Sequence, residues 1–193
     1  QLWQASGFEV QFLSERQSGR NAAVADAVLE AVSQADLVHF LCHGSFDPRA
    51  PERSGLHLRD GQLLTLERLT LHSQTIPADL VVLAACRSGV TGPGDLSGEW
   101  LSIAGALVRA GARRVVATLW DVSYPLSVAL SRTLYSAYLD HGLPAAEALA
   151  QAMRRLLSEG RAAAAGQVSH PALQDGQSGM EPRLRRVLAS PLF

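Results

Sequence analysis

"ADLVVLAAC" (78–86) is the stretch that decides the fold. It is apolar and rich in Val and Leu, with no polar alternation, as expected of a parallel strand covered on both faces. A second, largely apolar run, "ADLVHFLCHG" (35–44), also reads as a strand and ends at His43 and Gly44. Each run stops at a reactive side chain, His43 or Cys86, and passes directly into a turn of Gly and Ser. Two buried strands that end in an imidazole and a thiol pose a functional question.

Working outward, "GFEVQFLSER" (7–16) reads as another strand, and 20–34 carries apolar residues at helical spacing. Residues 45–78 are less regular, but "SGLHLRDGQLLTL" sets Asp60-Gly61 between two short apolar stretches, a hairpin signal. The Gly- and Pro-bearing "RSGVTGPGD" (87–95) is a turn-rich loop. The spacing predicts a helix over 97–110 with Gly111 at its C′ position, then a fourth strand, "RRVVATLWDV" (113–122). Pro125 and Pro144 open helices near 125–140 and 144–158, which Gly142 and Gly160 close. Residues 161–193 have weak periodicity and read as a loosely structured tail behind a domain spanning 1–160. Strands alternating with helices mean an α/β domain with a largely parallel sheet, in which ligands bind beyond the carboxyl ends of the strands. His43 and Cys86 both stand at that end.

Composition narrows the choices. The chain has 193 residues, 47% hydrophobic and 18% charged, enough for one sizeable core. A formal net charge of −1 gives no electrostatic case for nucleic acid or an anionic membrane as partner. Its apolar runs fall short of a membrane span. The two cysteines, Cys42 and Cys86, make no disulfide framework and fit a reduced, cytoplasmic setting. The opening "QLWQASGFEV" lacks both a signal-peptide design and an initiator Met, so the chain is expected to be a fragment of something longer.

Taken singly, Cys86 is a small buried hydrophobe and His43 a strand-end residue. If the two strands are neighbours, the imidazole and thiol come within reach of each other and are the two groups a thiol hydrolase would need. A thiol of pKa about 8.5 is mostly protonated at neutral pH, and an adjacent imidazole can take its proton and later deliver one to the leaving amine. Gly44 leaves its backbone N–H unobstructed, and with the N–H of Cys86 it could bind an oxyanion. No third catalytic member is evident. His39, four residues before His43, reads as a hydrogen-bonded core histidine, and Cys42, on the opposite face from His43, as packing. Cys42, His43 and Cys86 lack zinc-ligand spacing, so no metal or other cofactor is expected. Trp100 and Trp120 read as core aromatics, and His57, His72, His141 and His170 as surface or turn residues.

"DLVHFLCHGSFD", "SGLHLRDGQLLTLERLTL", "ADLVVLAACRSG" and "SIAGALVRAGARRVVATLWDV", in that order, resemble the CHAT domain, a caspase-like bacterial family related to separase. The resemblance runs from about residue 7 to 158. It implies a caspase-like three-layer sandwich with a mostly parallel central sheet and a small β-hairpin insertion. It also implies peptide-bond cleavage by a His-Cys dyad, carried here onto His43 and Cys86. It further implies a domain of a kind that often follows helical repeats or acts in bacterial defence and signalling modules, with helical-repeat or sensor domains expected as partners. The sequence departs from the family at both ends: the family's first strand is expected to be missing, and the segment after His170-Pro171 lacks the usual aromatic final strand. In the loop after "LW", Asp121 stands alone where an Asp pair is frequent.

The resulting expectation is a cysteine endopeptidase acting on a protein or peptide. Related separase-type enzymes favour a basic P1 residue, for which Asp121 and Asp47 are the candidate pocket carboxylates, since a buried guanidinium needs a partner. The rival expectation is the same fold with an idle dyad, serving signalling or assembly. A third is a thiol hydrolase or acyltransferase with a closed pocket for a small molecule.

Overall fold

The computed structural model describes residues 9–14, 23–90, 102–164 and 186–190. The chain divides into two compact units, one reaching Val122 and including the strand at 186–190, the other running from Ser123.

In the first unit the pairings of the main sheet are all parallel. Strands β1 (Glu9–Phe12), β2 (Leu37–Leu41), β6 (Leu80–Ala84), β7 (Val115–Val116) and β8 (Arg186–Ser190) lie in the order β1-β8-β2-β6-β7. β2 and β6 are central, and their apolar runs are buried on both faces. Val38, Phe40, Val81 and Leu83 join one core with Val28 and Val32 of helix α1 (Ala25–Val32), Leu69 of α2 (Leu66–Leu71) and Leu107 of α3 (Ile103–Arg109). Leu37, Leu80 and Val82, on the alternate positions, are buried too. Burying a Val or Leu side chain contributes about 1.5–3 kcal/mol, so this continuous apolar pattern is what makes the pair central.

A second sheet, antiparallel, joins β3 (Gly44–Ser45), β4 (Gly55–His57) and β5 (Leu63–Thr65). Its β4–β5 connection is the expected hairpin, with Asp60 and Gly61 both at positive φ, 57° and 72°, the conformation that Asp-Gly turns favour. Thr65 and Ser102 cap α2 and α3, their hydroxyls accepting from the backbone N–H groups of Arg68 and Gly105.

The second unit holds α4 (Tyr124–Tyr135), which continues as one π-helical turn over Ser136–Asp140, and α5 (Ala145–Ala164). Pro125 stands in the first turn of α4. No helix among the described residues is long and apolar enough to cross a membrane.

Several elements depart from the sequence expectation. The tail expected to be loosely structured supplies β8, which pairs with β1 on one side and β2 on the other. Its five residues, "RVLAS", are too short to show a period in isolation. Gly160 does not end α5, which runs on to Ala164, since one glycine inside a helix costs only about 1 kcal/mol. The fourth strand, expected over 113–122, pairs only at Val115 and Val116. Trp120 is 62% exposed and is not a core aromatic. The start of the helix expected at 97, with Trp100, and His170 lie outside the described residues.

Candidate active site

β2 and β6 pair in parallel from Leu37↔Leu80 to Leu41↔Ala84. Continuing that register by two residues sets His43 opposite Cys86. The strand ends stay side by side: a Cβ placed on Gly44 would run into the Cys86 carbonyl oxygen and come within 3.5 Å of the Ala85 Cβ. Position 44 therefore requires glycine because of the backbone that passes it.

The His43 end is fixed by the small sheet. The His57 N–H donates to the His43 carbonyl at 2.8 Å. Together with the Gly44↔Leu56 register, this makes Gly44 a non-hydrogen-bonded pair, whose N–H is turned away from β4. The ring of His57 stands edge-on to that of His43, with centroids 6.4 Å apart and planes at 87°. Both imidazoles are exposed.

The Cys86 end is a tight turn held by the segment after β7. Thr118 Oγ1 donates to the Ala85 carbonyl, the Thr118 N–H to Ser88 Oγ at 3.3 Å, and the Gly89 N–H to the Thr118 carbonyl at 2.9 Å. Arg87, directly after the thiol, has φ of 56°. Two further contacts cross between the same segments: Cys86 Sγ lies 3.9 Å from the Val122 carbonyl oxygen, and Arg87 Nε lies 3.3 Å from Asp121 Oδ1. Cys86 is partly exposed, whereas Cys42 is buried at 5% exposure. His39 is buried as well, and that burial holds its imidazole down at about 4, so it is neutral at physiological pH.

The two candidate pocket carboxylates differ. Asp47 Oδ1 accepts from the backbone N–H groups of Arg49 and Ala50 at 2.9 and 3.2 Å, and the Asp47 N–H donates to Ser54 Oγ. That carboxylate shapes its own loop, an Asx-type turn. Asp121 faces a guanidinium on a site-bordering loop, and its side chain is 67% exposed.

A model of the CHAT domain family matches residues 5–177. The chain belongs to that family. CHAT domains are a caspase-like peptidase family, which sets the strand-end cysteine and histidine of this chain in a protease context. No curated protein matches the chain. In this CHAT domain β8 lies beyond the matched residues, yet it pairs with β2, the strand that leads to His43. Among the described residues no three His, Cys, Asp or Glu side chains gather as metal ligands.

Three contributors to the site escape a reading of the sequence. Thr118 ties the Cys86 turn to the β7 segment, which no local pattern signals. His57 reads as a surface residue until the hairpin folds it beside His43. Arg87 had one available signal, its position between the thiol and Ser88-Gly89, where a long side chain interrupts a run of small ones.

Proposed function

We propose that this CHAT domain is a cysteine endopeptidase with a caspase-like three-layer arrangement, Cys86 its nucleophile and His43 its general base and acid. The observation that carries the reading is the close passage of Gly44 against the Cys86 carbonyl at adjacent ends of β2 and β6. In the first step His43 takes the thiol proton as Sγ adds to the scissile carbonyl carbon. The oxygen of that carbonyl becomes an oxyanion between the N–H groups of Gly44 and Cys86. Collapse breaks the C–N bond, and the imidazolium gives its proton to the departing amine. Water, deprotonated by His43, then hydrolyses the thioester and restores the thiol.

A basic P1 side chain would bind Asp121, because freeing the Asp47 carboxylate breaks two backbone hydrogen bonds of its own loop. Asp47 then shapes the edge of the groove. The natural setting in this reading is a cytoplasmic bacterial signalling or defence module, with a protein substrate delivered by helical-repeat or sensor domains.

The test is hydrolysis of a fluorogenic peptide library, together with labelling by an electrophilic peptide. Cleavage that requires both Cys86 and His43 supports the proposal. Labelling of Cys86 no faster than that of a free thiol, with no peptide cleaved, would identify an idle dyad and an interaction domain instead.

A further inference from the structure

Arg87 stands next to the proposed nucleophile in a left-handed backbone conformation, φ 56°, that a residue with a Cβ holds only where its surroundings impose it. The surroundings are present: the Val90 N–H donates to the Arg87 carbonyl at 3.1 Å, and Ser88 and Gly89 are bonded to Thr118. The turn thus fixes where the guanidinium emerges, and it emerges at Asp121. The contact runs from Nε to Oδ1 at 3.3 Å, longer than the about 2.8 Å of a strong charge-assisted hydrogen bond. Both side chains are more than half exposed, at 55% and 67%. An exposed pair of this kind shifts an equilibrium by at most about fivefold, so the occupant is displaceable.

We propose that Arg87 is a built-in competitor at the substrate carboxylate: its guanidinium occupies Asp121, and a P1 side chain binds there only by displacing it. An arginine can do so, because a guanidinium offers a planar fork that meets both carboxylate oxygens. A lysine offers a single point charge and competes poorly. Arg87 is accordingly an autoinhibitory residue that weakens binding of every basic P1 side chain by the same factor, while the preference for arginine belongs to Asp121 itself. The inference rests on the reading of Asp121 given above, but not on Cys86 being reactive.

The experiment is a chemical-shift titration of the full chain with acetyl-argininamide and acetyl-lysinamide, which measures binding without turnover. The variants are Arg87→Asn and Arg87→Gly, both compatible with positive φ, and Asp121→Asn alone and combined with each. Removing Arg87 is expected to tighten both ligands by about two- to fivefold and by the same factor, because an internal competitor lowers the competent fraction alike for each. Asp121→Asn should weaken both ligands and erase the gain, as a double-mutant cycle requires when one residue acts only through the other. Unchanged or weaker binding in both Arg87 variants would overturn the inference, and so would a gain that survives Asp121→Asn, or Asp121→Asn leaving binding unaltered. An inert Cys86 alongside Arg87-dependent binding would sink the peptidase alone, and active cleavage with no Arg87 effect would sink this inference alone.

Discussion

The buried and the open positions along β2, β6 and the segments that follow them hold the same residue types in opposite conditions. His39 is buried and held neutral, while His43, four residues on, is exposed. Cys42 is buried and Cys86 is partly open. Within the strands a polar side chain is a packing element whose charge is suppressed. At His43 and Cys86 a similar side chain meets solvent, and the backbone that carries it is pinned by other segments: β4 for His43, Thr118 for the Cys86 turn. The contrast turns on exposure position by position: Cys42, one residue past β2, is still buried, and His43 beside it is open to solvent.

The strongest test of that contrast is catalytic. Cys86→Ala and His43→Ala should each lower kcat/KM for a cleaved peptide by about a thousandfold or more, and the double variant should be little worse, because the pair acts as one unit. A double variant much worse than either would mean that the two residues act separately. Next comes Gly44→Ala, which forces a Cβ against the Cys86 carbonyl. We expect about a hundredfold loss in kcat, comparable to losing an oxyanion donor, and about 1–3 kcal/mol lost in urea unfolding. Near-normal kinetics would show that the two strand ends have room to spare.

At the buried positions the effects concern stability. His39 titrates near 4 in the folded chain and at its ordinary 6.5 when exposed by unfolding, so between those values the unfolded state binds the extra proton. Its contribution is complete above about pH 6.5 and is lost as the pH falls towards 4, up to about 3 kcal/mol. Denaturation midpoints across that window, in wild type and in His39→Gln, measure it: the variant should show the shallower acid slope. The smallest effect belongs to Cys42→Ala, about 1 kcal/mol from a small cavity, with peptidase activity retained. A dead Cys42 variant beside an active Cys86 variant would reverse the contrast.

Much of this was legible in the sequence because the central strands carry their own signal. An unbroken apolar run marked β6 as doubly covered, a mostly apolar one marked β2 as a strand, Asp60-Gly61 marked the hairpin, and the abrupt stop at His43 and Cys86 marked the strand ends. What stayed hidden depends on long-range pairing. β8 is a strand because β1 and β2 offer it two open edges, not because "RVLAS" insists on being one. Val115 and Val116 pair with β6, but the residues after them leave the sheet to hold the Cys86 turn, so a run that looked like a longer strand is half connection. Trp120 followed the general rule that aromatics are buried, and the position past the strand end overrode it.

The seat of β8 between β1 and β2 has a consequence for synthesis. Both flanking strands leave the ribosome before the segment that joins them, which follows about 145 residues behind β2, on the order of ten seconds at ordinary elongation rates. Throughout that interval the β8-facing edges of β1 and β2 are without their partner, open to other nascent chains or to chaperones. The strand that leads to His43 cannot be paired on both sides until residues 186–190 have been made. Translation order thus acts as a timer: until residues 186–190 have been made, a cell holds no finished copy of this site.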